Sequence, residues 1–328
     1  MIEVHPYDAG QGDCIHIRFC GKSGTFHNIL VDSGTRRFGH TFTEVYRTIC
    51  CDSENVDLLF ITHTDEDHLG GLLYAVNHKI LVQAGKIVMN HPQTLVTPPS
   101  SHTPLSVSQA NSIVTCLADS NVHITRGLQG DAMELDGARI QILNPTRGQV
   151  EAVFPVSRQN MPLGVIDDRK LPLEELMERP LPSGDASASN RASIVFVLEY
   201  EEKRLLFAGD AWSCDLLRGV QDYAVGREES LPICFDMVKL PHHGSARNLS
   251  ENWPQVLRGK RYLLCADGRR HPSKQTIAKL LRWYGTAEIV SPRAWWNSGY
   301  FSAEEEEQWL RSNRLRLVLG EGEGTTCD

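Results

Sequence analysis

Thr62-His63-Thr64-Asp65-Glu66-Asp67-His68-Leu69-Gly70-Gly71 places four strong metal ligands within six positions, directly after the apolar run Val56-Asp57-Leu58-Leu59-Phe60-Ile61. That run reads as a buried strand bounded by polar residues. The ligands therefore sit on a loop at a strand end. Held by the strand on one side and Gly70-Gly71 on the other, the loop can aim several side chains at one point. Imidazole and carboxylate together suit Zn or Mn. The competing reading is a solvated loop opening a helix, with Asp65 or Asp67 as its capping residue. His, Asp, Asp and His together favour a cation site.

Further blocks share this strand-then-acid grammar. Asp8-Ala9-Gly10-Gln11-Gly12-Asp13 stands between two alternating apolar stretches, and Ile29-Leu30-Val31-Asp32-Ser33-Gly34 closes a third. Leu205-Leu206-Phe207-Ala208-Gly209-Asp210 and Met237-Val238-Lys239-Leu240-Pro241-His242-His243-Gly244-Ser245 come later. With the His-x-Asp-x-Asp-His segment, these blocks resemble the metallo-β-lactamase-fold hydrolases, whose commoner form has a third His where this chain has Asp65. The Gly-Gln-Gly-Asp turn and the His-His-Gly-Ser block are similar to the hydrolase domain of ComEC-type DNA-uptake proteins. The resemblance runs from Ile2 to about Tyr284. It implies an α/β fold, the four-layer αββα metallo-β-lactamase sandwich, with the strand ends of both sheets meeting at one edge. Periodicity alone shows only mixed α and β.

The resemblance also implies a site with two divalent ions, Zn or Mn. His63 and Asp65 would face one ion, Asp67 and His68 the other, and Asp210 would bridge them. One of His242 and His243 would complete the second; His243 is favoured, but the sequence does not separate them. At the family's third metal motif this chain has Ser189-Asn190-Arg191-Ala192-Ser193 and no His. Asn190 there is a weak oxygen ligand, a substrate contact or a plain turn residue, and the first ion is short of protein ligands. Two such ions lower the pKa of a water and stabilise both entering and leaving oxygens at phosphorus, so hydrolysis is the expected reaction, with Asp67 and Asp210 central to it. Asp13 and Asp32 lie on loops that approach the site and could orient ligands, or simply bond loop backbone. His271, in a His-Pro pair after a strand, could donate a proton to a leaving oxygen or bind phosphate; the alternative is a surface His before a helix.

Length and composition bound the reading independently. The chain has 328 residues, 41% hydrophobic and 23% charged, ordinary for a globular protein. One domain over 1–328 is expected, with an irregular, Pro-rich insertion at about 146–189 that contains a short acidic helix candidate, Leu173 to Glu178; a linker between two domains is the competing view. Thr97 to Pro104 reads as a loop, Asn111 to Leu117 as helical, and Ser273 to Tyr284 as an amphipathic helix. Glu201-Glu202-Lys203 suggests a hairpin turn. No apolar run approaches the roughly 18 residues of a membrane span, and the N-terminus lacks a signal-peptide pattern. A cytoplasmic location is expected, with the hydrolase standing apart from the membrane helices that accompany it in ComEC-type proteins. Nine cysteines without a C-x-x-C pair read as reduced thiols, Cys265 as a core residue.

The net charge of -8 opposes indiscriminate polyanion binding, yet Lys239 to Tyr300 holds 11 Lys or Arg against three acidic residues. The same window carries Trp253, Trp283, Tyr284, Trp295 and Trp296. Basic groups with aromatics suit single-stranded DNA, with Arg269 and Arg270 as phosphate contacts; a core role for the aromatics competes. The leading expectation is thus a metal-dependent phosphodiesterase or nuclease acting on DNA. The alternatives are another hydrolase on the same scaffold, of phosphorylcholine esterase, lactonase or thioesterase type, or a non-catalytic binding module, against which His63, Asp67, His68 and Asp210 argue. A partner subunit within a multi-gene defence or DNA-processing system is an association by kind only.

Overall fold

The computed structural model describes residues 1–51, 53–90, 123–153, 168–320 and 325–326. Among these, the strands form two mixed sheets. The first runs β15(Thr325–Thr326), β1(Ile2–Pro6), β2(Ile15–Cys20), β3(Phe26–Val31), β4(Val56–Ile61), β5(Ala84–Met89), β6(Ile124–Thr125). The second runs β14(Leu315–Leu319), β13(Ala287–Ser291), β12(Leu257–Leu263), β11(Ile233–Lys239), β10(Lys203–Phe207), β9(Val195–Tyr200), β8(Ala138–Asn144), β7(Ala132–Leu135). In each sheet one half is antiparallel and the other parallel: β3 to β6 in the first, β10 to β14 in the second. The continuous apolar runs Leu58–Ile61 in β4 and Val195–Leu198 in β9 are what burial on both faces requires.

Four layers follow from how each strand divides its side chains. Ile17, Ile29, Phe60 and Val88 of the first sheet meet Ile140, Phe196, Leu205 and Met237 of the second in one inner core. Phe60 stacks on Phe196 at 4.4 Å, and Phe196 on Phe207 at 4.9 Å, so aromatic rings join the sheets directly. Removing one such ring costs about 3–5 kcal/mol. The alternate strand residues Leu30, Leu59, Ile61 and Ile87 face outward against Phe42, Val45 and Ile49 of α1(Gly39–Cys51) and Leu69, Leu72 and Leu73 of α2(Glu66–Asn77). On the far side, Leu206, Val238 and Leu264 pack under the helices Ser213–Gly226 and Lys274–Tyr284. The arrangement is the αββα sandwich the resemblance implied.

Gly70 and Gly71 in α2 let that helix press on the β3 exit loop, for a Cβ on Gly71 would stand 2.1 Å from the Ser33 carbonyl. The expected helix at Leu173–Glu178 is present, with Leu173 and Leu176 in the outer core. Its exit is tied to the Lys274–Tyr284 helix by Gln275 Nε2 donating to the Arg179 and Pro180 carbonyls. The expected loop at Thr97 to Pro104 and helix at Asn111 to Leu117 lie outside the described residues. No helix among the described residues is long and apolar enough to cross a membrane, and the cysteines described form no disulfide.

Candidate metal centre

Parallel strands deliver their following loops to one end of a sheet. Asp32 follows β3, Thr62 to His68 follow β4, Asp210 follows β10, His242 and His243 follow β11, and His271 follows β12. Asp13 arrives on the turn before β2, where Gly12 fits because a Cβ would lie 2.1 Å from the Asp67 carbonyl. Asp65 occupies the N-cap position of α2 but makes no capping hydrogen bond. Its carboxylate lies 3.8 Å from His63 Nε2 instead, so the capping interpretation of this residue fails.

The tautomers of three histidines follow from their partners. His68 Nδ1 lies 2.8 Å from Asp32 Oδ2, an acceptor only, so Nδ1 carries the proton. His243 Nδ1 faces Asp13 Oδ1 at 3.0 Å and the Cys265 carbonyl at 3.1 Å. His242 Nδ1 faces Asn248 Oδ1 at 3.0 Å and Asp185 Oδ2 at 3.3 Å. His63 Nδ1 has two hydroxyl neighbours, Thr62 Oγ1 at 3.1 Å, which donates to Asp32 Oδ2, and Ser193 Oγ at 3.2 Å, which accepts from the Asp210 backbone N–H, so its tautomer is not fixed by them. When the rings of His68, His242 and His243 are neutral, as metal binding requires, Nε2 is the nitrogen left with the lone pair.

The Nε2 atoms of His68, His242 and His243 converge on Asp210. His68 Nε2 is 3.4 Å from Asp210 Oδ1, while His242 and His243 Nε2 are 3.8 and 3.7 Å from Oδ2. His243 Nε2 is also 3.5 Å from Asp67 Oδ2, and the His63 and His68 rings lie 4.1 Å apart. Buried and without hydrogen-bond partners are His63 Nε2, His68 Nε2, His243 Nε2 and Asp210 Oδ1. Uncompensated polar atoms are rare inside proteins. Three of them, on His68, His243 and Asp210, belong to one cluster, as the ligand atoms of a cation site would. Ligand atoms of Asp13, His68, Asp210 and His243 all lie within 4.8 Å of one another, a buried cluster that could hold a metal ion. Asp13 serves from behind, for one oxygen meets His243 Nδ1 and the other the Lys239 ammonium.

Electrostatics reflect the crowding. Burial alone would raise the Asp13 carboxyl, but Lys239 and His243 hold it at about 2. Burial would lower His243, yet Asp210 and Asp13 lift it to about 10. Asp210 is driven well below the carboxylate range, its burial outweighed by His68, His243 and His242. His271 moves the other way: burial, then His242 and His243, push it down to about 3. Backbone strain also collects here, with Asp32, His242 and His243 at φ of 58°, 48° and 52°. Such left-handed non-glycine positions cost on the order of 1–3 kcal/mol each and cluster at functional sites.

Several expected residues take altered roles. Asn190 Nδ2 donates to Asp185 at 2.7 Å, and Asp185 in turn backs His242, so this amide braces an imidazole. Both His242 and His243 point at Asp210, where the sequence favoured one. The basic window is largely spent on pairing: Lys239, Lys274 and Lys279 are buried, and Lys260, Arg261 and Arg293 bond Asp236, Glu288 and Asp8. Trp253 and Trp295 belong to the core, and Trp283, Tyr284 and Trp296 pack against it. Arg269 and Arg270 are exposed beside His271, on a loop whose Gly268 carbonyl accepts from Arg169 at 2.8 Å. Sequence reasoning missed Asp185, Asn248, Ser193 and the role of Lys239. A lysine directly after the apolar pair Met237-Val238 at a strand end was the one available signal.

No protein-family model matches the chain, and no curated protein matches its sequence. Among solved structures it is similar to Zn(2+)-bound PqqB from Methylobacterium extorquens, at 11% identity over 93% of this chain and 84% of that one, TM-score 0.42. It is also similar to a diphosphatase from the PhnP family, at 11% identity over 97% and 95%, TM-score 0.40. CmlA, a diiron beta-hydroxylase from Streptomyces venezuelae, matches at 14% identity and TM-score 0.39 over 97% of this chain, which spans 53% of that protein. Values this low leave the chemistry to be read from this chain's own side chains.

Proposed function

We propose that this chain is a two-metal hydrolase of phosphodiesters, with DNA as its substrate. One observation carries the metal reading: the Nε2 atoms of three histidines, His68, His242 and His243, each held by an acceptor at Nδ1, are turned toward a single buried carboxylate. Asp67, His68 and His243 would hold one ion, His63, Asp65 and His242 the other, and Asp210 both. His242 then stands in for the histidine missing from the third motif. Nitrogen and carboxylate donors in this mixture suit Zn or Mn. Such a pair, when bound, supplies an activated water and neutralises charge at phosphorus.

The chain's own residues do the remaining work. Asp32, Asp13 and Asp185 keep the imidazoles oriented, which raises their basicity as ligands. His271, neutral at pH 7, offers a hydrogen bond to a phosphoryl oxygen; its depressed pKa speaks against a cationic acid. Arg269 and Arg270 supply exposed guanidinium groups beside that histidine, suited to a phosphate backbone. The Gly-Gln-Gly-Asp and His-His-Gly-Ser blocks, similar to those of ComEC-type hydrolase domains, support DNA as substrate.

A smaller phosphodiester is the second reading, favoured by the burial of the tryptophans and the pairing of most cations near the site. Hydrolysis of bis-p-nitrophenyl phosphate and of single-stranded DNA, each with Mn or Zn, separates the two. Metal-dependent turnover of both is expected. Turnover of the small ester alone supports the second reading, and neither activity with either metal overturns the phosphodiesterase assignment.

A further inference from the structure

Met237 points into the core between the sheets, and strand alternation sends Lys239 the same way two residues later. Its ammonium, 1% exposed, arrives where the two sheets meet at the site. There it makes a close ion pair with Asp13 Oδ2, donates to the Gly209 carbonyl at 2.9 Å, and lies 3.8 Å from Asp210 Oδ1. Asp13 belongs to the first sheet's turn, Gly209 and Asp210 to the second sheet. The other oxygen of Asp13 bonds His243 Nδ1 at 3.0 Å. One buried cation thus reaches two ligands through different routes: His243 through Asp13, and Asp210 through the peptide that carries it.

We propose that Lys239 is the positioning residue of the centre, holding Asp13 of the first sheet against the second-sheet loops and so fixing His243 and Asp210 relative to each other. This rests on the metal reading above. A lysine serves here because its three donors can be shared among a carboxylate, a carbonyl and a second carboxylate, while no lone pair competes for the ions. The ammonium also supplies permanent positive charge beside Asp13 and Asp210, so these carboxylates stay placed before any ion arrives.

The test uses the full-length chain and four proteins: wild type, Lys239→Met, Asp13→Asn, and the double variant. Mn2+ and Zn2+ affinities are measured by chelator competition, stability by urea unfolding, and ligand geometry by the visible spectrum after Co2+ loading. Lys239→Met leaves Asp13 buried without its cation, so both stability and affinity should fall, affinity by roughly 10- to 100-fold, as for other partners behind metal ligands. The double variant removes both charges. It should recover stability relative to Lys239→Met, yet keep the weakened affinity and an altered Co2+ spectrum. Recovery of wild-type affinity and spectrum in the double variant would show a structural ion pair and overturn the proposal. So would unchanged affinity in folded Lys239→Met. A wild-type chain that takes up no ion removes the metal reading itself, an outcome seen before any variant is compared.

Discussion

Asp32→Asn isolates the orientation of His68 with almost no change of shape. Asp32 accepts three hydrogen bonds: Thr62 N at 2.7 Å on Oδ1, and Thr62 Oγ1 and His68 Nδ1, both at 2.8 Å, on Oδ2. Asn tolerates the left-handed φ of 58° at this position, so the backbone should hold. The amide can face the three donors in two ways. With its oxygen toward Thr62 N, the NH2 group faces His68 Nδ1, which must then accept, and the imidazole proton moves to Nε2. That proton points at Asp210 and blocks the lone pair a metal needs. With the amide reversed, the NH2 group opposes the Thr62 backbone N–H, at about 1–3 kcal/mol for a buried donor left unpaired. The first route weakens metal binding by roughly 10- to 100-fold, or about 1.4–2.8 kcal/mol. Chelator competition reads the affinity and urea unfolding the stability, and one of the two must fall. An Asp32→Asn chain with metal affinity within twofold of wild type and unchanged unfolding would refute the tautomer argument.

Other outcomes follow from the same geometry. Asp210→Asn should reduce occupancy of the weaker ion and lower turnover by more than the roughly 10- to 100-fold of an outer partner, with little rescue by excess metal; retention of both ions by metal analysis would show that Asp210 is not shared. Arg269→Glu with Arg270→Glu should weaken DNA cleavage and flatten its salt dependence while sparing bis-p-nitrophenyl phosphate, and equal loss on both would place these arginines in catalysis or folding. His243, lifted to about 10 in the metal-free chain, is protonated at pH 7, so ion uptake should release a proton, measured by calorimetry in buffers of different ionisation enthalpy. Because that folded pKa is raised, its stabilisation is full below the unfolded value near 6.5 and is lost as pH rises through about 10. Urea midpoints of the metal-free chain should fall over that window through this group.

The fold was legible where apolar runs end in acids or histidines. Val56 to Ile61 and Leu205 to Phe207 are strands as read, because strand burial is a local signal, and the structure brings His63 to His68 and Asp210, which follow them, to one end of the sandwich. What stayed hidden is pairing across sequence. Charges summed along 239–300 suggested a basic face, but Lys239 meets Asp13 and Lys274 meets Glu305, partners outside that window. Asp185 lay in a Pro- and Ser-rich stretch whose composition gave no hint that it backs His242. That both His242 and His243 turn Nε2 toward Asp210 depends on the partners of each Nδ1, which the motif does not contain.

Anomalous X-ray scattering from crystals of the metal-loaded chain, recorded at the Zn or Mn edge, tests the central claim most directly. Two peaks should appear, one among Asp67, His68 and His243 and one among His63, Asp65 and His242, with Asp210 contacting both. A single peak, or none within reach of the Nε2 atoms at full metal loading, would contradict the two-metal account.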